Sequence, residues 1–316
     1  MGSADTGDEI IFDLLSMIHV HRSGRVERFE PTPFVPPSFH PATGVDSKDV
    51  SINSCSGLSA RLYLPLSAAG SGKLPVVVFF HGGGFFLHRA ASSQYHDYLN
   101  SLAACAGAVV VSVDYRLAPE YPLPAAYDDS WEALQWVSAA GDPWLMNSGD
   151  LDRVFLAGDS AGGNIVHNLG MRLGRGGRMV NGIVMMNPFF WGKERIGAER
   201  KVPEGAIFRT EDVDRVWPFV CPGSPDLDDQ RINPTAAGAA GLAAMGSPRI
   251  LVSVGSLDLL LDRGIDYCEK MKESGWGGEV EFMEVEGEDH GFFLLFPGNE
   301  RAAAFMETMV NFVCKI

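Results

Sequence analysis

The sequence is short of cysteine, of long hydrophobic runs and of positive charge, and each shortage excludes a class of protein. Five scattered cysteines in 316 residues form no Cys-x-x-Cys pair, which favours reduced thiols in a cytoplasmic protein over a disulfide scaffold. The longest apolar stretch, residues 103–113, is too short and too interrupted to cross a bilayer. A net charge of −15 argues against nucleic acid or an anionic membrane as a partner.

Signals for targeting, metals and cofactors are equally sparse. The first residues are acidic and lack the basic start of a secretory signal. Gly2 fits the N-myristoylation pattern loosely, but no second membrane anchor accompanies it, so the pattern alone does not predict a membrane protein. No residues have metal-ligand spacing, and no dinucleotide-binding fingerprint follows a first strand. We therefore expect neither a metal nor a cofactor.

Apolar runs alternate with helical segments over most of the chain. Strands are predicted at 62–64, 76–80, 109–113, 154–156, 183–186, 250–254 and 280–285, and helices near 94–106, 125–140, 161–173 and 263–274. This alternation predicts an α/β fold, with a mostly parallel sheet covered by helices on both faces. In such sheets chemistry collects beyond the carboxyl ends of the strands.

Three segments depart from the alternation. Residues 8–30 have an amphipathic start and then a predicted hairpin turning at Ser23-Gly24. Residues 31–41 contain five prolines and are expected to be an extended connector. Residues 188–235 are rich in aromatic residues, have no clear parallel strand and are predicted to form a lid.

The segment Gly158-Asp159-Ser160-Ala161-Gly162 carries the strongest functional signal. A Gly-x-Ser-x-Gly between a strand and a helix is the nucleophile elbow, a sharp turn that exposes the serine hydroxyl. It also places the amide of Ala161 at a helix N-terminus, where positive partial charge accumulates. Serine is a weak nucleophile by itself, so Ser160 needs a base, an orienting acid and an oxyanion hole.

His290 and Asp258 are the predicted base and acid, since both follow a strand in the chain order serine, aspartate, histidine. Asp262 and Asp289 are the rival acids, but Asp262 falls a turn later in a predicted helix and Asp289 adjoins the histidine itself. His81 is expected to order its own loop. The other histidines are expected to be structural or exposed: His19, His21, His40, His88, His96 and His167.

His81-Gly82-Gly83-Gly84-Phe85 directly follows the predicted strand 76–80. Its unshielded amides suit the oxyanion of acyl transfer, and no Gly-Lys-Ser/Thr follows to indicate a phosphate loop. Gly83, Gly84 and Ala161 are therefore the predicted oxyanion donors. Nearby, Arg116 and Glu120 are expected to brace a loop as an ion pair, and Asp159 is expected to fix backbone geometry.

Five motifs together resemble the plant carboxylesterases of the hormone-sensitive-lipase group of α/β-hydrolases, nearly end to end: HGGGF at 81–85, DYRLAPE at 114–120, GDSAGGN at 158–164, LDLLLDR at 257–263 and EDHGF at 288–292. The resemblance implies one domain over 1–316 with a mostly parallel eight-stranded sheet. It also implies a mainly helical cap contributed by about 1–45 and about 188–235. Ser160, Asp258 and His290 fall at the positions of the family's triad.

The resemblance includes relatives with other functions. Gibberellin receptors share the fold but lack the catalytic histidine, whereas His290 is present here. Plant 2-hydroxyisoflavanone dehydratases usually have threonine where this chain has Ser160. The sequence therefore favours a serine carboxylesterase acting on short-acyl esters or lactones of small apolar or aromatic plant metabolites. A dehydratase or other lyase, an intramolecular acyl-transfer enzyme and a non-catalytic receptor are the alternatives.

Aromatic residues are the candidates for lining the substrate pocket: Phe85, Phe86, Phe190, Trp191 and Trp217. The expected partner is a small-molecule ester. The sequence does not distinguish a monomer from a homodimer.

Overall fold

Two β-sheets organise the computed structural model, which describes residues 8–68, 72–202, 204–236 and 241–315. Gly2, with the myristoylation pattern, lies outside the described residues. The strands are β1 (Ile10–Leu14), β2 (Ile18–His21), β3 (Val26–Arg28), β4 (Val45–Asn53), β5 (Leu58–Pro65), β6 (Leu74–Phe80), β7 (Val109–Asp114), β8 (Gly149–Asp159), β9 (Gly182–Met186), β10 (Arg249–Gly255) and β11 (Glu279–Val285).

The large sheet has eight strands in the order β11-β10-β9-β8-β6-β7-β5-β4. Strands β6 to β11 pair in parallel, whereas β5 pairs antiparallel with both β4 and β7. The mostly parallel eight-stranded sheet and the α/β-hydrolase fold are therefore confirmed. Each strand predicted from a continuous apolar run is present, because burial on both faces requires apolar side chains at successive positions.

Helices cover both faces of this sheet. They are α1 (Ser93–Ala106), α2 (Ala125–Ser138), α3 (Pro143–Ser148), α4 (Ala161–Arg175), α5 (Thr210–Val220), α6 (Leu261–Glu273), α7 (Phe292–Leu295) and α8 (Glu300–Cys314). Alternate residues of β6 enter two cores: Val76 and Val78 pack with α2, α4 and α6, whereas Val77 and Phe79 pack with α1, α7 and α8. No helix of the described residues is both long and apolar enough to span a membrane.

The N-terminal segment forms a second, three-stranded sheet in the order β1-β2-β3. Both pairs are antiparallel, and the predicted hairpin at Ser23-Gly24 joins β2 to β3. Leu14 and Ile18 pair across the first turn and are fully buried, whereas Ile10 and Ile11 are exposed. This part of the predicted cap is therefore built from strands, and its described residues 8–45 contain no helix.

The segment 188–235 contributes α5 and a 3₁₀ helix, Gly197–Arg200, and it contacts the N-terminal sheet. The rings of Phe12 and Phe219 stack with centroids 4.4 Å apart and planes 6° apart. The Arg215 guanidinium also donates to the carbonyl oxygen of Asp13. The two segments predicted to form the cap thus pack against each other.

A buried ion pair ties the 3₁₀ helix to α6. Arg263 Nε donates to Glu199 Oε1 at 2.6 Å and Arg263 Nη2 donates to Glu199 Oε2 at 2.9 Å. Both side chains are buried, so the geometry is bidentate and shielded from water. Removing one partner of such a pair leaves an uncompensated buried charge.

We expect Glu199→Ala to lower the free energy of unfolding by about 3 kcal/mol because the Arg263 charge then lacks its partner. Urea unfolding followed by circular dichroism measures this change. Lys270→Ala, which breaks the exposed pair with Glu273, is the matched control and should have no measurable effect. Equal losses in the two variants would contradict the role assigned to the buried pair.

Candidate active site

Ser160 lies in a strained turn between β8 and α4. Its backbone has φ 51° and ψ −115°, a conformation that costs a non-glycine residue about 1–3 kcal/mol. Hydrogen bonds hold the turn: Ser160 N donates to Met186 O at 2.8 Å, and Ser160 O accepts from Asn164 N and Phe189 N. The strain is thus supported by the end of β9 and the first turn of α4.

The glycines on either side of Ser160 are required by close backbone approach. A Cβ on Gly162 would lie 1.9 Å from the carbonyl oxygen of Phe80, and one on Gly158 would lie 2.5 Å from the backbone of Gly162. No side chain fits at either distance. The N-terminus of α4 therefore sits directly against the carboxyl end of β6.

The imidazole of His290 is bonded to Asp258. His290 Nδ1 lies 2.8 Å from Asp258 Oδ2, which leaves Nε2 as the ring nitrogen for chemistry. Asp258 is fully buried and accepts two more hydrogen bonds, from Asn187 Nδ2 at 2.5 Å and from the backbone N–H of Leu260 at 2.9 Å. The carboxylate is therefore fixed from three directions.

Asn187 was not found by sequence reasoning. It follows β9 and has a positive φ of 45°, a conformation that asparagine adopts more readily than most residues. Its backbone N–H donates to Ser253 O at 2.7 Å, which aims the side-chain amide at Asp258. The only signal in the sequence is an Asn-Pro pair at a strand end, which does not distinguish this role from an ordinary turn.

Burial and charge act in opposite directions on the pKa of His290. Burial lowers the pKa, but the charge of Asp258 and the hydrogen bond to it raise it more, so the net pKa lies above the ordinary 6.5. The predicted base and acid thus form a mutually stabilised pair, which is what an imidazole needs to accept a proton during reaction.

The two rival acids contact other groups. Asp262 Oδ2 accepts from the backbone N–H of Ala198 at 2.7 Å. Asp289 accepts from the backbone N–H groups of Ile207 and His290, at 2.9 and 2.6 Å. The Asp262 carboxylate therefore fastens the 188–235 segment to the first turn of α6, and the Asp289 carboxylate fastens it to the loop that carries His290. Neither bonds to the imidazole ring.

The glycine loop after β6 presents free backbone donors. Within the described part of the chain, the N–H groups of Gly83, Gly84 and Ala161 have no hydrogen-bond acceptor. Gly83 has φ 94° and Gly84 has φ 60°, and a Cβ on Gly83 would lie 2.5 Å from Leu87 O. These are the three groups that the sequence predicts as oxyanion donors.

Two buried tyrosines, also missed by sequence reasoning, hold this loop against the elbow. Tyr95 Oη accepts from Gly82 N at 2.9 Å and donates to Asp159 Oδ2 at 2.8 Å. Tyr115 Oη donates to the carbonyl oxygen of His81 at 2.6 Å, and its ring stacks on the His81 imidazole. The glycine loop (residues 81–85) and the residue before Ser160 thus share one hydrogen-bond network.

Burial shifts the titration of this network. It raises the pKa of Asp159 to about 6 and lowers the pKa of His81 to about 3. His81 is therefore neutral at physiological pH, and its Nδ1 lies 2.9 Å from Gly82 O. These contacts agree with the structural roles expected of both residues.

The ion pairs near residues 114–120 differ from the expectation. Arg116 pairs with Asp129 at 2.7 Å, and Glu120 pairs with Arg28 of the N-terminal sheet. Arg116 and Glu120 are therefore not partners of each other. Arg28 also donates to the carbonyl oxygens of Phe86 and Ala118, so the N-terminal sheet is anchored to the residue that directly follows the glycine loop, a long-range contact that motif reading cannot reveal.

The five aromatic pocket candidates are all buried and pack against other side chains. The ring of Phe85 meets Tyr127 and that of Phe86 meets Phe219, both with centroids 5.9 Å apart. Phe190 packs against both His167 and Tyr267. The indole N–H groups of Trp191 and Trp217 donate to Asp214 and to Ser224 O.

Phe208, which sequence reasoning did not select, contacts His290 directly. The two ring centroids are 5.1 Å apart and the planes are inclined by 71°. Nothing in the sequence distinguishes Phe208 from other aromatic residues of the segment.

The described residues also contain no cluster of three or more His, Cys, Asp or Glu side chains arranged to hold a metal ion.

Comparison with known proteins identifies close relatives. A family model described as alpha/beta hydrolase fold matches residues 77–294. The chain is 41% identical to probable carboxylesterase 2 of Arabidopsis thaliana and to 2-hydroxyisoflavanone dehydratase of Glycyrrhiza echinata, with 98% of each chain covered. It is 42% identical to the chloroplastic tuliposide A-converting enzyme 2 of Tulipa gesneriana, over 97% of this chain and 79% of that enzyme.

Solved structures agree. A thermostable carboxylesterase cloned from a metagenomic library has a TM-score of 0.75 and 27% identity, with 90% of each chain covered. An esterase from Pyrobaculum calidifontis has a TM-score of 0.74 and 27% identity, covering 90% of this chain and 86% of that one. The resemblance to plant carboxylesterases inferred from the five motifs is confirmed.

We expect the His290 imidazole to titrate above 6.5, and its pKa to be lower in Asp258→Asn than in the wild type. Without the Asp258 charge, the effect of burial is less opposed. NMR titration of the histidine rings, with His290→Gln used to assign the signal, measures both values. A pKa in Asp258→Asn that equals or exceeds the wild-type value would contradict the account of this pair.

Proposed function

Because the chain belongs to the α/β-hydrolase fold family, we propose that it is a serine carboxylesterase that forms an acyl-enzyme on Ser160. The observation that carries the proposal is that three parts occur together in one chain: a serine in a strained elbow, an imidazole bonded to a buried carboxylate, and three backbone N–H groups without acceptors among the described residues. Acyl transfer requires this combination.

The reaction follows from the roles of these groups. His290 Nε2 takes the proton from the Ser160 hydroxyl as the oxygen attacks the ester carbonyl, giving a tetrahedral intermediate whose oxyanion binds the N–H groups of Gly83, Gly84 and Ala161. His290 then gives the proton to the alcohol oxygen as the carbon–oxygen bond breaks. A water molecule, deprotonated by His290, hydrolyses the acyl-enzyme and restores Ser160.

Asp258 acts through His290. Its bond to Nδ1 holds the tautomer that leaves Nε2 able to accept a proton, and its charge stabilises the imidazolium that forms. The amide of Asn187 and the backbone N–H of Leu260 keep the carboxylate in place. The pair is therefore set before substrate arrives and needs little reorganisation during reaction.

The proposed cap consists of the N-terminal segment to about residue 45 and residues 188–235, on a single α/β-hydrolase domain. The support is that both segments touch the reaction machinery: Arg28 bonds to the oxyanion loop, and Phe208 contacts His290. Phe85, Phe86, Phe190, Trp191 and Trp217 are buried around these segments. We infer that the substrate is a small, apolar or aromatic ester or lactone with a short acyl group.

The relatives include enzymes named for different reactions, and identity does not separate them, since it is 41% for both a carboxylesterase and a dehydratase. Ser160 favours hydrolysis because a primary hydroxyl in the elbow can attack a carbonyl. A cytoplasmic location is supported by the five cysteines, all of which are free, although one relative is named as chloroplastic.

We expect wild-type protein to hydrolyse p-nitrophenyl esters between C2 and C8, and Ser160→Ala to lose about 10³-fold or more in turnover. The loss follows from removing the only atom that bonds to the acyl group. Ser101→Ala, in α1 with its hydroxyl bonded to Asp97 O, is the control and should keep wild-type turnover. Wild-type-like turnover in Ser160→Ala would contradict the mechanism.

The same assay separates the alternatives. A lyase would release water from a hydroxylated substrate without cleaving an ester, and a receptor would bind its ligand and return it unchanged. An intramolecular acyl-transfer enzyme would move the acyl group within its substrate without releasing an acid. Absence of ester hydrolysis in the wild type would therefore favour one of these three alternatives over the esterase.

A further inference from the structure

We propose that Phe208 contacts the departing alcohol of the ester, and that the enzyme therefore prefers esters whose alcohol portion carries an apolar ring. The inference rests on the proposed function and deepens it by naming the side of the substrate that the cap selects. Phe208 would be a specificity-determining residue of the site.

The first step of the argument is the position of Phe208 on the imidazole. Its ring lies 5.1 Å from that of His290, inclined by 71°, an edge-to-face arrangement typical of aromatic pairs. Since His290 Nδ1 is bonded to Asp258, the chemistry takes place at Nε2, the other nitrogen of the same five-membered ring. A group bound near Nε2 is therefore within reach of the Phe208 ring.

The second step is which group that is. When the tetrahedral intermediate collapses, the bond between the carbonyl carbon and the alcohol oxygen breaks, the carbonyl reforms, and the proton on His290 Nε2 moves to that oxygen. Proton transfer requires the alcohol oxygen to lie about 2.6–3.2 Å from Nε2. The acyl chain is attached to the carbon bonded to Ser160. The substituent next to the imidazole, and hence next to Phe208, is thus that of the alcohol.

The third step is that Phe208 is held in place relative to His290. The carboxylate of Asp289 accepts from the backbone N–H of Ile207 through Oδ2 and from the backbone N–H of His290 through Oδ1. One side chain therefore links the residue before Phe208 to the base itself. A ring fixed in this way can discriminate between substrates, because little conformational entropy is lost when it makes a contact.

Part of the Phe208 ring is available for contact. Phe208 is partly buried against the core and keeps an exposed part, and its neighbour Ile207 is 44% exposed. Leu257, which precedes Asp258 in the chain, is 41% exposed. Each residue whose side chain touches the imidazole thus follows an exposed apolar residue in the chain. The exposed part of the Phe208 ring offers an apolar contact to a ring-bearing alcohol and no hydrogen bond to a polar one.

The test compares two acetate esters with alcohols of similar acidity, benzyl acetate and 2-methoxyethyl acetate, so that leaving-group reactivity is matched and only the ring differs. We expect wild type to prefer the benzyl ester. Phe208→Ala should lower kcat/KM for benzyl acetate about tenfold more than that for 2-methoxyethyl acetate, the size of one aromatic contact. Phe208→Leu should fall between wild type and Phe208→Ala.

Two controls make the result specific. Phe296→Ala removes a ring that is 60% exposed and should leave both values unchanged. Ethyl acetate and ethyl hexanoate compare acyl chains with one alcohol, and their ratio should be the same in wild type and Phe208→Ala. Titration of active protein with an organophosphate corrects each rate for misfolded material.

The outcomes distinguish failure of this inference from failure of the proposed function on which it rests. An equal loss for both acetates in Phe208→Ala and Phe208→Leu would show that the ring only supports His290, and would overturn the inference while leaving the esterase intact. A change confined to the acyl-chain ratio, or no preference for benzyl acetate in the wild type, would also overturn it. Failure of the wild type to hydrolyse any ester or to react with the organophosphate would overturn the proposed function itself.

Discussion

The site depends on one close approach, between the first turn of α4 and the carboxyl end of β6. Gly162 has no room for a side chain because the Phe80 carbonyl occupies the position that a Cβ would need. This contact forces Ser160 into a positive φ and places the Ala161 amide beside the loop 81–85 that continues from β6. Under the proposed mechanism, N–H groups from these two elements, distant in sequence, stabilise one oxyanion together.

Maintaining this arrangement requires buried polar groups, which are costly unless they are hydrogen-bonded. The network of Tyr95, Asp159 and Gly82 joins the elbow to the glycine loop, and Asn187 joins β9 to Asp258. The 188–235 segment is then fastened to α6 through Asp262 and Arg263, and to the loop that carries His290 through Asp289. The strain at Ser160 is thus balanced by surrounding bonds, and the 188–235 segment is fastened close to Asp258 and His290.

The sequence predicted those parts of the fold and site that depend on local pattern. Buried parallel strands need continuous apolar runs and the elbow needs its two glycines, so both could be predicted directly from the sequence. Chain order led to Asp258 and His290, and the structure places His290 Nδ1 2.8 Å from Asp258 Oδ2. The N-terminal strands were harder to predict from the sequence. Ile10 and Ile11 are both exposed, so the alternation of apolar and polar residues that marks a half-buried strand is interrupted there. Asn187, Tyr95 and Phe208 were missed since their roles arise from contacts between distant segments. The same cause explains why Arg116 and Glu120 found separate partners.

The central claim is that Ser160 is the covalent nucleophile, and the most direct test is to locate the adduct of an organophosphate. Diethyl p-nitrophenyl phosphate phosphorylates an activated serine and leaves a stable ester that peptide mass spectrometry can assign to one residue. The account predicts a single diethylphosphoryl group on the peptide containing Ser160 in the native protein, and none in denatured protein, where the elbow and the His290–Asp258 pair are lost. An unmodified Ser160, or modification at another residue, would contradict it.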